Sequence, residues 1–176
     1  MQDQEERGLV LIFTGRGKGK TTAALGAALR ASGQGFKVLI IQFIKAGGYY
    51  GELESLKRLA GVEVRSLGLG LIGRDQDLAP HREKARQAWD QACREVASGR
   101  WDLVILDEIC VAMKRDFVQP EELAGLIRQK PRPLNLIITG RDCPEHLFDL
   151  ADTVTRMEEV KHHLAAGVPA RRGIEY

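Results

Sequence analysis

From Leu9 to Thr22 the chain reads LVLIFTGRGKGKTT, an apolar run that breaks abruptly into glycine and lysine. The run predicts a strand, and its continuation predicts a phosphate-binding loop. Gly15, Gly17 and Gly19 allow a tight turn whose N–H groups point inward, with no side chain in the way of phosphate oxygens. Lys20 adds a fixed positive charge, and Thr21 a hydroxyl suited to phosphate-bound Mg²⁺. Thr22 to Arg30 then reads as a helix whose first-turn amides and dipole favour the same anion. The strict spacing GxxxxGKS/T would put its first glycine at Thr14, whereas here it comes one place later, at Gly15. A glycine-rich turn with no ligand is the bland alternative. The Gly-Lys-Thr end, the strand before it and the helix after it all favour phosphate.

At 176 residues, with 44% hydrophobic content, the chain suits one domain (1–176) with a sizeable core. A net charge of +2 gives no argument for nucleic acid. Cys93, Cys110 and Cys143 are odd in number and widely spaced, which is neither a disulfide framework nor a zinc pattern. A reducing cytoplasm is the expected setting. The opening MQDQEERG lacks a basic end followed by an apolar stretch, and no later apolar run approaches a membrane span, so neither export nor insertion is expected. The lead to Arg7 is expected to be mobile.

Lys37 to Phe43 reads as a second strand, and strand–helix–strand predicts a parallel pair with a crossover. The segment Ile44 to Gly51 then lies at the carboxyl edge, where open α/β sheets hold ligands. Lys45, Tyr49, Tyr50 and Glu52 are therefore either site residues or members of an ordinary surface loop. A short helix (Glu52–Leu59) and strand (Val62–Arg65) follow. Ser66 to Asp77 is glycine-rich, with apolar residues either packed beneath it or facing an apolar ligand. His81 to Ser98 shows one helical stripe of Ala85, Ala88, Trp89, Ala92, Val96 and Ala97, with His81 as a surface or capping residue. Trp101 to Asp107 is a third apolar strand, ending in Asp107-Glu108. Beside a phosphate loop, such an acid holds the metal's water shell or orients a water; an Asp-Glu pair could instead cap the next helix. The upstream loop favours the metal role. Pro120 opens a further helix, Leu134–Thr139 is a strand, a short helix ends at Leu150, and Asp152–Met157 is a last strand. The alternation predicts a three-layer α/β fold with a mainly parallel sheet and nucleotide at its carboxyl edge.

The chain closely resembles the phosphate-loop type of corrinoid adenosyltransferase over nearly its whole length. The resemblance rests on Thr14–Thr22, Gln42-Phe-Ile-Lys45, Leu106-Asp-Glu108, Ile137-Ile-Thr-Gly-Arg141, Leu150-Ala-Asp-Thr153, Val160-Lys-His162 and Gly173-Ile-Glu-Tyr176. In that family the shifted first glycine is normal. The resemblance implies a P-loop NTPase-like (RecA-like) fold and transfer of the 5′-deoxyadenosyl group of ATP to the cobalt of a reduced corrinoid, releasing triphosphate. It implies that ATP lies reversed, with its 5′-carbon exposed to the corrinoid. It implies that Lys18, Lys20 and the loop amides of Gly15 to Thr22 neutralise triphosphate, that Thr21 and Glu108 hold Mg²⁺, and that Asp107 supports it through water. Arg16 faces phosphate or solvent. A homodimer is implied as well, and a flavin-type electron donor is compatible with the family. Relatives often carry Gly-Phe-Thr-Trp where this chain has Gly70-Leu-Ile-Gly73, an aromatic pair associated with displacing the lower axial ligand of cobalt. Leu71 is left as the apolar wedge. Some relatives have a long N-terminal helix over the partner's site, and this sequence is expected to begin too late to have it. Two rivals stay open: a phosphate-loop ATPase or small-molecule kinase with Glu108 as base, and a non-catalytic ATP-gated corrinoid-binding protein. The carboxyl-terminal motifs favour the adenosyltransferase.

Overall fold

The computed structural model describes residues 7–48, 50–70, 73 and 77–175. The expectations placed on Tyr49, Leu71, Ile72 and the first six residues lie outside them. Six strands form one sheet: β1 (Val10–Thr14), β2 (Val38–Gln42), β3 (Val62–Ser66), β4 (Leu103–Asp107), β5 (Asn135–Thr139) and β6 (Thr153–Arg156). Their order is β3-β2-β4-β5-β1-β6, and every neighbouring pair is parallel. β1 and β2 therefore do not pair, contrary to the simplest reading of strand–helix–strand, because β5 and β4 lie between them. A crossover motif specifies parallel direction and handedness but not how many strands it spans.

Alternation along each strand sends side chains to two separate cores. In β2, Leu39 and Ile41 pack with Val104 and Leu106 of β4 against α3 (Ala79–Ala97), α4 (Ile109–Lys114) and α5 (Pro120–Gln129). Val38, Ile40, Leu103 and Ile105 face the other way, under α1 (Lys20–Gly33) and α2 (Gly51–Leu56). With both faces covered, β2 and β4 are buried at every position, which is why they read as unbroken apolar runs. Each fully buried Ile or Leu contributes about 1.5–3 kcal/mol. α1 meets the sheet through Ala24 and Ala28, both 0% exposed, so the helix can lie close and bring its first turn over the strand ends.

The expected stripe of α3 is buried at Ala85, Ala88, Trp89, Ala92 and Val96, but Ala97 is exposed and Glu95 takes a buried position. α4 was not foreseen; it is six residues long and follows Glu108 directly. α5 opens as expected, with Pro120 in its first turn and a reciprocal cap between Gln119 and Glu122. Two short 3₁₀ turns, Glu145–Leu150 and His163–Ala166, complete the chain.

Candidate active site

The phosphate loop leaves β1 and enters α1 through Gly19, whose φ of 113° only glycine adopts easily. α1 has no acidic residue of its own in its first turn, so the carboxylates that face its positive end come from other elements. Gly17 is glycine for a different reason from the one the motif suggests. A Cβ there would lie 2.5 Å from the Glu158 carbonyl oxygen, and the Gly17 N–H donates to the Met157 carbonyl at 2.8 Å. That amide is committed to the segment after β6. Lys20 is only 5% exposed, and its ammonium donates to the Gly15 and Gly17 carbonyls at 2.9 and 2.7 Å. Burial pulls its pKa down, against the opposing charge of Glu108.

Asp107 ends β4 at the centre of a buried polar network. Its Oδ1 accepts from Thr21 and Thr139 hydroxyls, both at 2.8 Å, and its Oδ2 from the Gln42 amide at 3.1 Å. Ser66 in turn donates to Gln42 at 2.7 Å. Four strand ends and the start of α1 are thus held in one frame, and the Thr21 hydroxyl donates its hydrogen bond to Asp107 while its oxygen lone pairs stay available. Glu108 follows with a left-handed φ of 61°, its N–H donating to the Thr139 hydroxyl at 2.9 Å. Burial, then the adjacent Asp107, raise the Glu108 pKa; Lys20, Arg141 and Lys45 act in the opposite direction. Asp107, Glu108 and Thr21 are hard oxygen donors that suit Mg²⁺, whose remaining positions are normally filled by phosphate and water. Among the described residues no group of three His, Cys, Asp or Glu is placed to hold a metal ion by itself.

A cavity of about 800 Å³ opens over this corner. Its floor is the loop and first turn, residues 16–22, with Glu108 and Arg141 beside them. One wall is apolar, formed by Leu25 and Leu29 of α1 with Leu56 and Leu59, and the carboxyl-terminal residues His162, Leu164 and Gly173–Glu175 close the other side. Lys18 pairs with Glu175 at 2.5 Å, and the second Glu175 oxygen is sealed from solvent 3.5 Å from His163 Nε2. Lys45 pairs with Glu52 at 2.5 Å and sits over the Tyr50 ring. The expected loop residues Arg16, Gly17, Lys18, Gly19, Lys20, Thr21 and Thr22 therefore share one cavity with Glu108 and with the suspected Lys45 and Glu52. Gly15 lies beneath, on a second cavity of about 560 Å³, and Asp107 reaches the site through Thr21. Arg141, His162 and Glu175 had no role assigned from the sequence, where their only signal was membership of the family-like motifs.

Residues 6–176 match the model of the ATP:corrinoid adenosyltransferase BtuR/CobO/CobP family. The chain belongs to that family. It is 41% identical to a corrinoid adenosyltransferase of Escherichia coli K12 over 99% of this chain and 89% of the relative. It is 40% identical to the corrinoid adenosyltransferase CobA of Salmonella typhimurium, with the same coverage, and 35% identical to a corrinoid adenosyltransferase of Pseudomonas aeruginosa over 99% and 87%. The chain is accordingly a transferase of the cobalamin pathway, and its sheet is that of a P-loop NTPase-like α/β fold. Among the described residues no helix is long and apolar enough to cross a membrane.

Proposed function

We propose that the 800 Å³ cavity is where this adenosyltransferase joins the 5′-carbon of ATP to the cobalt of a Co(I) corrinoid, with Lys20, Thr21 and Glu108 as its central residues. The observation that carries the reading is the convergence of the buried Lys20 ammonium, the first turn of α1 and the Glu108 carboxylate on one cavity. Co(I) is already a strong nucleophile, so no side chain must become one or remove a proton. The protein's contribution is alignment and neutralisation of the leaving triphosphate. Lys20, Lys18 and the free loop amides would carry the neutralisation. Thr21 and Glu108 would hold Mg²⁺, with Asp107 acting through Thr21 and water; the cation would supply charge neutralisation at the phosphates. The resemblance alone supports a homodimer and an electron donor of flavin type, and both belong to the same proposal.

The test is incubation with ATP, Mg²⁺ and chemically reduced corrinoids, read by the corrinoid spectrum and by phosphate speciation. A carbon–cobalt bond with inorganic triphosphate is expected, and both should be lost in Lys20→Ala. Phosphate with ADP would identify an ATPase or kinase. Unchanged adenosylation by Lys20→Ala would show that the loop is not the site.

A further inference from the structure

Among the described residues five cationic side chains line the cavity, and three are already engaged: Lys18 with Glu175, Lys45 with Glu52, and Lys20 with two loop carbonyls. Among the described residues, Arg16 and Arg141 make no side-chain hydrogen bond and no ion pair. Arg16 sits at the rim between the two cavities. Arg141 stands beside the reacting corner, since its charge acts on both Lys20 and Glu108.

The loop that carries Arg141 is built to present it. Gly140 has a φ of 140°, and a Cβ there would lie 2.6 Å from the Cys110 Cβ, so only glycine lets the chain pass the start of α4. Asp142, on the other side, holds a left-handed φ of 54°. Its carboxylate is turned to Lys114 at 2.5 Å and does not cap the neighbouring arginine. The Gly140 N–H donates to the Phe13 carbonyl at 3.2 Å, and the Cys143 N–H to the Thr14 hydroxyl at 3.2 Å, tying both ends of the loop to β1. A left-handed non-glycine residue, Asp142, beside an unpartnered guanidinium is local cost without local gain, a pattern associated with function. A guanidinium is always charged, and its planar fork matches two phosphate oxygens at once.

Resting on the reading of the cavity given above, we propose that Arg141 is a catalytic residue that contacts the leaving triphosphate and stabilises the charge it gains in the transition state. In that step an electron pair of Co(I) forms the Co–C bond, and the C5′–O bond breaks with its pair moving to the α-phosphate oxygen. The cobalt becomes formally Co(III), no proton moves, and no further co-reactant is needed. The charge gained by the phosphate is the charge a fixed guanidinium can meet.

The experiment compares wild type, Arg141→Lys and Arg141→Ala with ATP, Mg²⁺ and chemically reduced cobinamide, alongside calorimetric binding of inorganic triphosphate. Arg141→Ala should lower kcat by about 10²–10³-fold, with a change in KM for ATP below about tenfold. Arg141→Lys should recover only part of the loss, because charge without the fork is not equivalent. Triphosphate binding should weaken in both, and added guanidinium should partly rescue the alanine variant. A kcat within twofold of wild type in Arg141→Ala would overturn the proposal, as would a loss confined to KM. If the alanine variant does not fold, full kcat in a folded Arg141→Lys that binds triphosphate normally would overturn it equally. Failure of the wild type to make a Co–C bond would refute the reading of the cavity instead, and triphosphate binding would still report on Arg141.

Discussion

Glu95 is buried and Glu108 partly buried, and their surroundings drive them in opposite directions. Glu95, with a side chain 9% exposed, accepts hydrogen bonds from Trp101 and Arg65, each at 2.7 Å, and from Arg100. Burial alone would raise its pKa, but the bonds from Trp101, Arg65 and Arg100 outweigh it and bring it to about 2. Glu108 has no such donors; burial and Asp107 dominate, and its pKa rises. One carboxylate is satisfied by the fold and the other is kept in need of a cation. A group stabilised by the native state serves structure, whereas one destabilised by it is available to a ligand.

The sharpest way to break this comparison is Glu108→Gln. Adenosylation should fall by about 10²–10³-fold, because the metal loses a charged ligand. The ligand-free variant should nonetheless melt at a higher temperature than wild type at neutral pH. A raised native pKa means that the folded protein binds more protons than the unfolded one above the ordinary glutamate value, so ionised Glu108 costs stability that glutamine does not. A lower melting temperature with full activity would reverse the assignment. Glu95→Ala should do the opposite. Removing one partner of a buried ion-pair cluster costs about 2–3 kcal/mol here, discounted because Arg100 is 61% exposed, or roughly 5–10 °C in Tm. Its activity at 25 °C should stay near that of wild type.

The pH dependence sharpens the same contrast. The Glu95 native pKa lies below its unfolded value, so its contribution is present above about pH 4.3 and is lost as pH falls toward 2. The stability gap between wild type and Glu95→Gln, measured by urea unfolding, should be widest near neutrality and close across that window. For Glu108→Gln the gap has the reverse sign and shrinks as pH falls below the raised pKa. The adenosylation rate should also show an acid limb, and it should move to lower pH as Mg²⁺ is raised. A limb that ignores Mg²⁺ would make Glu108 a general base.

The contrast also marks what could be read from the chain alone. β2, β4 and β5 were legible because burial on both faces leaves an apolar run, and Lys20, Thr21 and Asp107-Glu108 because each motif lies within a few residues. Glu95 was hidden. A charge on the buried stripe of α3 makes sense only with Arg65, thirty residues earlier, and a helical pattern assigns the place to Ala97. α4 was missed because ICVAMK is too short and too uniformly apolar to show a period. The pairings of Lys18 with Glu175 and Lys45 with Glu52, and the exposure of Arg141, depend on loops that meet only in the folded chain. The positions of β5 and β4 between β1 and β2 are likewise set by packing and not by local pattern.

The smallest effect expected concerns a third carboxylate, Glu175, which stands between the two extremes. Lys18 lowers its pKa through a 2.5 Å ion pair, with His163 as a further positive neighbour when protonated. Lys18 is 45% exposed, so solvent screens the pair and its contribution is modest. Lys18 also lines the phosphate cavity, and a carboxylate and a polyphosphate cannot both hold one ammonium at full strength. Glu175→Gln should therefore release Lys18 and tighten binding of inorganic triphosphate by about two- to fivefold at low ionic strength. The gain should shrink in about 0.5 M salt, which screens exposed charges such as Lys18. If Glu175 instead holds Lys18 in the one position that meets phosphate, the variant will bind triphosphate more weakly at every salt concentration. Calorimetry at two ionic strengths separates the cases. The first outcome places Glu175 with Glu108, as a carboxylate that ligand binding must rearrange, and the second places it with Glu95, as part of the frame.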